Sequence, residues 1–349
     1  METAPAPFPP SRPSAPVPVR LATLFALSGD ERELFFPDGL PEDGTRWFRT
    51  DDAVPEAWEE ELRAGRPDAV VTCWSTPPLP EGLVGQPYPR YLCHLAGSVR
   101  GVAPRAFLQR GLRVSNWGDL AARPVAEHAV LLVLASLREM GRWEWAMRGS
   151  GPEQVRRRAA LETRTLEGKR VGIHGFGRIA RELVRLLAPF GVTVRAWSEG
   201  VPEAALRQGG AVPAPGLAAL FSGSDIVVEC EALTARSAGS VGAEVLRLLP
   251  PGAVFVNVGR GPVVDEAALA ALAVEGRVRV ASDVFAAEPL PADSPLRAVP
   301  GALFSPHIAG PTRDLYPRCG AFALENLERF ARGEAPRALV DLAAYDRST

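Results

Sequence analysis

Three side chains in the C-terminal half of the chain, Arg260, Glu288 and His307, have types that suit proton transfer beside a bound carboxylate. Each one follows or ends a different predicted strand, and doubly wound α/β folds bind ligands at that end of the strands. Arginine offers a rigid fork of donors, and histidine titrates near neutral pH without perturbation, while a carboxylate can fix its tautomer. Singly, each residue also fits an ordinary role as a loop cation, a surface acid or a structural histidine. The prediction of a proton-transfer site therefore depends on all three side chains lying close together in the fold.

A glycine-rich turn lies upstream, with Gly175, Gly177 and Ala180 as G-x-G-x-x-A between a predicted strand and a predicted helix. In this context the first glycine permits the tight turn, the second lets a pyrophosphate approach, and the alanine lets helix pack on strand. The N–H groups of Arg178 and Ile179, at the start of the helix, can hold the phosphates. The pattern predicts a dinucleotide site, and a nicotinamide there would supply the hydride that no side chain can.

The choice between NAD and NADP depends on the end of the next strand, where an acid usually binds the adenosine ribose about 20 residues on. Ser198 stands at that place and Glu199 follows it. The nearest arginine for a 2′-phosphate is Arg207. The sequence predicts NAD, with NADP as the alternative.

The elements that must position these residues alternate between apolar runs and helix-like segments. Such alternation predicts an α/β fold with parallel sheets covered on both faces. Strands are predicted at 20–27, 68–74, 90–97 and 112–118, and then in KRVGIHGFG, VTVRAW, DIVVEC, AVFVNVG, VRVASDVF and ALFSPHIAG. A long, mostly apolar helix is predicted from Val125 to Arg148, and an amphipathic helix from Cys319 to Glu334.

Composition sets the broad class of the protein. Of 349 residues, 46% are hydrophobic and 23% charged, which is typical of a globular protein, and the length suits two domains. A net charge of -2 gives no reason to expect nucleic acid or a membrane surface as a partner. No apolar run has the length of a membrane span, and no signal peptide is evident. The four cysteines are scattered, which argues against a metal site or a disulfide framework and predicts a cytoplasmic location.

Three blocks, VNVGRGPVVDEAALAAL, ASDVFAAEPLPADSPL and SPHIAG, occur in this order after the glycine turn. With them the chain resembles the D-isomer-specific 2-hydroxyacid dehydrogenases, which include phosphoglycerate, glyoxylate/hydroxypyruvate and formate dehydrogenases. Including weaker matches upstream, the resemblance runs from about 92 to 333. It implies hydride transfer between a nicotinamide and C2 of a D-2-hydroxy acid or its 2-keto acid.

The resemblance implies roles for individual residues. Arg260 matches the arginine that orients the substrate, His307 the catalytic histidine, and Glu288 the carboxylate that partners it. Gly97 and Ser98 match the loop whose backbone amides hold the substrate carboxylate. Further matches to cofactor-binding positions are Leu233, Thr234, Val258, Gly259 and Asp283, the last at the nicotinamide carboxamide.

The family fold implies two Rossmann-like or flavodoxin-like domains, with the nucleotide-binding domain inserted into a split substrate domain. The expected nucleotide-binding domain spans 123–310, and the substrate domain 19–122 and 311–349. The long helix is expected at the hinge and in the interface of a homodimer. Residues 1–18 lie in a segment with seven prolines in its first twenty residues, which predicts a flexible tail.

Several positions leave specificity open. Ser98 and Arg100 replace the glycine and aspartate more usual in the substrate loop, Ala232 replaces a common proline, and Ser198 replaces an aspartate. Arg100 suits a second anionic group on the substrate, or is a surface arginine. The glutamate at the carboxylate position disfavours formate, for which enzymes of the family carry glutamine. An NAD(H)-sensing scaffold and phosphite oxidation stay open as alternatives.

Other aromatic and histidine side chains have weaker claims to function. Trp74 and Trp117 lie near predicted strand ends, and either is a candidate wall of the substrate pocket or a packing residue. His94, His128 and His174 are interpreted as structural.

Overall fold

The computed structural model describes residues 21–347, so the predicted tail at 1–18 lies outside the described residues. Two parallel sheets organise this part of the chain, one in the order β2-β1-β3-β4-β5 and one in the order β12-β11-β10-β9-β6-β7-β8. The predicted α/β class with parallel sheets is confirmed. The first sheet comprises β1 (Thr23–Leu27), β2 (Thr45–Arg49), β3 (Ala69–Thr72), β4 (Tyr91–His94) and β5 (Arg113–Ser115). The second comprises β6 (Arg170–His174), β7 (Thr193–Trp197), β8 (Val212–Pro213), β9 (Ile226–Glu229), β10 (Ala253–Asn257), β11 (Val278–Ser282) and β12 (Leu303–Phe304).

Helices cover both faces of each sheet, as parallel strands require. Around the first sheet they are α1 (Gly29–Phe35), α2 (Pro55–Gly65), α3 (Arg105–Gln109), α12 (Tyr316–Ala331) and α13 (Leu342–Arg347). The remaining helices are α4 (Ala122–Leu137), α5 (Trp143–Met147), α6 (Gly151–Ala159), α7 (Arg178–Leu187), α8 (Glu203–Gln208), α9 (Leu217–Ser222), α10 (Ala243–Leu246) and α11 (Glu266–Val274).

The C-terminal helix α12 returns to the first sheet. It packs against α1 and β4, and its buried Cys319, Ala323 and Leu327 share a hydrophobic core with Phe25 and Val71 of that sheet. The first sheet is thus completed by chain from both ends of the sequence. The domain limits at 19–122, 123–310 and 311–349 stay a prediction that this arrangement supports.

The predicted long helix from Val125 to Arg148 is wrong in its length. Helix α4 ends at Leu137, and Glu139 then adopts a left-handed conformation with φ 55°. The chain continues as the short helices α5 and α6. A positive φ at a residue other than glycine is unfavourable and cannot be part of a right-handed helix, so the apolar pattern runs through a break in the backbone.

Helix α4 packs along α7 and against β10 and β11 of the second sheet. With the turn before it, at Gly118–Leu137, it is long and apolar enough to cross a membrane, which corrects the expectation that no apolar run has that length. Half of that segment is buried inside the protein. Core helices of this length satisfy the same criteria, so its packing partners describe it better than its hydropathy does.

Strand β2 is absent from the sequence-based prediction. Its sequence, TRWFR, lies at the edge of the first sheet and is mostly exposed or half-buried. The other strands of that sheet are shorter than predicted, because the polar residues at each end of an apolar run belong to the loops. Those loops, at the carboxyl ends of the strands, carry the residues of the candidate site.

Candidate active site

His307 and Glu288 form a hydrogen-bonded pair beyond the carboxyl ends of β12 and β11. Nδ1 of His307 lies 2.7 Å from Oε2 of Glu288, and Oε1 of Glu288 accepts from the backbone N–H of Phe285 at 2.9 Å. The carboxylate is therefore fixed by its own loop and in turn fixes the ring. No hydrogen bond from residues 21–347 reaches Nε2, and the His307 side chain is 51% exposed. The geometry leaves Nε2 to exchange a proton with a ligand.

A buried aspartate fixes the loop that carries His307. Asp283 is 1% exposed, and its carboxylate accepts from the backbone N–H groups of Ile308 and Ala309, both at 2.9 Å. Ser305 Oγ donates to the same carboxylate at 2.6 Å and lies 2.8 Å from Nε2 of His128 on α4. The predicted contact of Asp283 with a nicotinamide carboxamide stays a prediction. His128, interpreted as structural, links α4 to the loop that carries His307.

Arg260 follows β10 and lies close to the His307–Glu288 pair. Burial lowers the pKa of its guanidinium, and the negative charge of Glu288 acts in the opposite direction. Its Nη1 donates to the carbonyl of Gly259 at 2.8 Å. The next residue must be glycine, because a Cβ at Gly261 would lie 1.9 Å from the backbone carbon of Phe285. This close approach holds the Arg260 loop against the loop of Glu288.

The predicted substrate loop, Gly97 and Ser98, follows β4 at the corresponding edge of the first sheet. Asn116 donates its side-chain N–H to the carbonyl of Gly97 at 2.6 Å. The prediction that Arg100 binds a second anionic group gains no support, because its guanidinium donates to the carbonyls of Tyr345 at 3.2 Å and Asp346 at 2.9 Å. Arg100 tethers α13 to this loop.

The glycine turn has the backbone that the motif predicts. Gly175 has φ 87°, and a Cβ there would lie 2.5 Å from the backbone nitrogen of Glu231, so no other residue fits. Gly177, at the N-cap of α7, has open space within 4 Å of a built Cβ. That opening and the free N–H groups of a helix start suit a pyrophosphate. The side chain of Arg178 forms an ion pair at 2.5 Å with Asp119, which lies between β5 of the first sheet and α4.

A cavity of about 410 Å³ lies at the ends of β6, β7 and β9, where His174 precedes the glycine turn. Its lining includes Trp197, Glu199, Glu231, Thr234 and Arg236. Glu231 is the acid that the sequence analysis missed. It follows β9, a strand whose neighbour β6 separates it from β7, so only the sheet order brings it to the end of β7.

The predicted ribose-binding residues Ser198 and Glu199 occupy different positions in this cavity. Ser198 is buried and donates its hydroxyl to Oε2 of Glu231 at 2.7 Å. Glu199 lies in the rim, where it pairs with Arg236 at 3.2 Å. Arg207, the cation considered for a 2′-phosphate, pairs with Glu203 on its own helix. The Ser198–Glu231 pair thus presents a carboxylate near the place where an acid is expected to bind the adenosine ribose.

The remaining cofactor positions border the same face of the second sheet. Leu233 is half-buried against a hydrophobic core, Thr234 caps its own turn through Ser237, and Val258 is buried. A Cβ at Gly259 would lie 3.1 Å from the carbonyl oxygen of Glu231. These residues shape the wall of the cavity, and their contacts with a cofactor stay predictions.

Two other histidines are buried and bonded inside the protein. Burial lowers the pKa of His94 to about 4, and its Nδ1 lies 2.9 Å from Oγ1 of Thr72. Nδ1 of His174 lies 2.5 Å from Oε2 of Glu229 on the neighbouring strand. Among residues 21–347, no group of three or more His, Cys, Asp or Glu side chains is arranged to hold a metal ion.

The residues present fit a nicotinamide dinucleotide. The glycine turn, with the positive φ of Gly175 and the open space at Gly177, suits the phosphates. The carboxylate-lined cavity suits the adenosine. The acid/base pair and Arg260 lie at the carboxyl ends of the other half of the same sheet. Such an arrangement defines a nicotinamide-linked oxidoreductase of the doubly wound α/β class.

Comparison with known proteins gives the family. Residues 130–309 match the model of the D-isomer specific 2-hydroxyacid dehydrogenase NAD binding domain, which is more than half of the chain. The chain belongs to this family of NAD-dependent oxidoreductases. The family assignment confirms the sequence-based prediction, and the sensing-scaffold and phosphite alternatives are not favoured.

Individual relatives extend over most of the chain. A glyoxylate reductase of Pyrococcus furiosus is 29% identical over 324 residues, which cover 88% of this chain and 95% of that protein. A D-3-phosphoglycerate dehydrogenase of Mycobacterium tuberculosis is 31% identical over 90% of this chain, which spans only 55% of that enzyme. The holo form of Rhodotorula graminis D-mandelate dehydrogenase superposes with a TM-score of 0.76 at 19% identity, covering 91% of this chain and 97% of that one, and shows the shared fold.

Proposed function

We propose that the protein reduces a 2-keto acid, or oxidises the matching D-2-hydroxy acid, at the cleft between the two sheets. The observation that carries this assignment is the His307–Glu288 pair at 2.7 Å with Arg260 beside it. NADH, when bound, supplies the hydride that reaches the carbonyl carbon. Nε2 of His307 gives a proton to the carbonyl oxygen, and solvent returns a proton to the ring. In the oxidative direction the neutral ring takes the hydroxyl proton.

The other residues bind and orient the acid. Arg260 holds the carboxylate and polarises the carbonyl through its fork of N–H donors. The backbone amides of the Gly97–Ser98 loop complete the carboxylate site from the first-sheet side. Glu288 touches no substrate and acts as a positioning residue, because it fixes the tautomer of His307.

At the adenosine end, the carboxylate of Glu231 accepts hydrogen bonds from the ribose hydroxyls, and Ser198 orients that carboxylate. Glu199 adds a second acid at the rim and Asp346 also lines the cavity, so a 2′-phosphate would meet three carboxylates there, against Arg236 as the cation among the lining residues. This balance supports NAD rather than NADP as the working cofactor.

The experiment that tests the function follows NADH oxidation by absorbance with a panel of 2-keto acids. Acid-dependent oxidation supports the assignment and gives the substrate range. NADH binding without turnover on any acid, in either direction, removes it.

We also propose that the protein is a homodimer. An apolar surface on α5 and α6 exposes Trp143, Met147 and Val155 around a groove of about 430 Å³, and Trp145 is exposed on the same helix α5. Aromatic and methionine side chains are enriched in subunit interfaces, and the family fold implies a partner copy at 125–148, a segment that includes α5. The proposed compartment is the cytoplasm, which suits the four cysteines, all free thiols.

A further inference from the structure

Aromatic rings meet at the carboxyl edge of the first sheet. Trp74 follows β3, Trp117 follows β5, and Tyr316 begins α12. The ring of Trp74 lies 6.3 Å from that of Trp117 and 5.8 Å from that of Tyr316, both edge-to-face, and 5.6 Å from that of buried Phe35. We call Trp74, Trp117 and Tyr316 the aromatic wall.

The aromatic wall borders the predicted carboxylate loop. Strand β4, which ends at that loop, lies between β3 and β5, the strands that Trp74 and Trp117 follow. The indole nitrogen of Trp117 lies 3.5 Å from the place of a Cβ on Gly97. Asp119, two residues beyond Trp117, pairs with Arg178 of the glycine turn at 2.5 Å. This edge therefore faces the cofactor side of the cleft.

Trp74 is the part of the wall that is open to solvent, while Trp117 and Tyr316 are partly buried. Trp74 is 53% exposed, although three other rings already hold it in place. A large apolar surface fixed at a ligand site offers a flat face for another ring, and paired rings attract each other beyond the burial of their area. Arg100, the cation nearest the loop in sequence, is turned to α13.

We propose that the substrate is a 2-keto acid with an aromatic side chain, such as an aryl pyruvate, whose ring packs on the aromatic wall. The inference rests on the proposed function and names its substrate class. With the carboxylate at Gly97 and Arg260, the substituent on C2 extends along the first-sheet edge toward Trp74. The rival class is a phosphorylated keto acid, for which Arg313, exposed just before the start of α12, is a candidate cation.

The test compares kcat/KM for phenylpyruvate, glyoxylate and 3-phosphohydroxypyruvate, with NADH, in the wild type and Trp74→Ala. We expect phenylpyruvate to exceed both other acids by at least about 10-fold, and Trp74→Ala to lower its kcat/KM by about 10-fold. Glyoxylate, which has no side chain, should change less than about 2-fold. Trp74→Phe keeps a ring and should retain most of the phenylpyruvate activity.

Trp47→Ala is the matched control, because Trp47 is 39% exposed on β2 at the far edge of the same sheet. It should leave kcat/KM for all three acids unchanged, and thermal unfolding of each variant checks the fold. If Trp74→Ala does not fold, the comparison of Trp74→Phe with Trp74→Leu decides the question. Equal loss on all acids, or preference for the phosphorylated acid, overturns the aromatic assignment while leaving the proposed function intact. No turnover on any acid overturns both.

Discussion

The imidazole Nδ1 of His174 lies 2.5 Å from Oε2 of Glu229, in a pair buried between the adjacent strands β6 and β9. The ring of His174 also stacks on Trp197 at 5.4 Å, and Oε1 of Glu229 accepts from the backbone N–H of Glu231 at 2.6 Å. The pair therefore supports, from inside the sheet, the two residues that line the adenosine cavity.

This pair predicts a pH-dependent contribution to stability. Burial lowers the pKa of His174, but attraction to Glu229 and the hydrogen bond to it raise the pKa by more, so the net pKa lies above 6.5. A raised pKa in the folded state stabilises the fold below the unfolded value, and this contribution is lost as pH rises through the folded value.

The measurement is thermal unfolding of the wild type and Glu229→Gln between pH 6 and 8.5. The variant should lose about 1–3 kcal/mol at pH 6, and the difference from wild type should shrink toward pH 8.5. A constant difference across this range would show that His174 is not charged in the fold. Carboxylates such as Asp225, whose pKa is lowered by its hydrogen bond to Arg170, titrate far below this window.

The fold and the pairing of Glu288 with His307 were predictable from the sequence, but the position of Glu231 was not. Arg260, Glu288 and His307 follow strands in one sheet, and the predicted pair of Glu288 with His307 is present in the structure. Glu231 was missed because its role depends on the order of β9, β6 and β7, which no local pattern encodes. The buried pair of Glu229 with His174 could not be predicted from the sequence either, because ionisable groups are rarely buried in apolar strands.

Glu231 should set the cofactor preference. Glu231→Gln removes the carboxylate that Ser198 orients, and we expect the Kd for NADH to rise about 10-fold, the effect of a charged hydrogen bond. The Kd for NADPH should rise less, or fall, because a negative charge leaves the site. Isothermal titration without substrate gives both constants. Glu199→Gln, at the rim, is the comparison, and a larger effect there than at Glu231 would reverse the assignment.

Arg260→Lys should show how much of the activity depends on the planar guanidinium group and how much on its positive charge. A lysine keeps the positive charge and loses the planar fork, so we expect kcat/KM to fall about 10–100-fold with NADH affinity unchanged. Steady-state kinetics with the best keto acid and a separate NADH titration measure the two effects. Near-normal kcat/KM in the variant would show that Arg260 contributes only its positive charge and does not form two parallel hydrogen bonds to the substrate.

The α5–α6 surface should hold a second copy. Met147 is 69% exposed there, so Met147→Glu should leave the fold intact and weaken the dimer. Light scattering coupled to size exclusion, across a protein dilution series, reports the mass. Val274→Glu is a control, because Val274 is similarly exposed at the end of α11, outside this surface. A wild type that stays monomeric at all concentrations would rule out the homodimer.

The central claim, that His307 exchanges the proton at the carbonyl oxygen, is tested most directly by His307→Ala. NADH oxidation with the best keto acid should fall by about 10²–10⁴-fold, while the Kd for NADH and the unfolding temperature stay within error of wild type. That combination would place the loss in the chemical step. Turnover within a few-fold of wild type in a folded, NADH-binding His307→Ala protein would contradict the account.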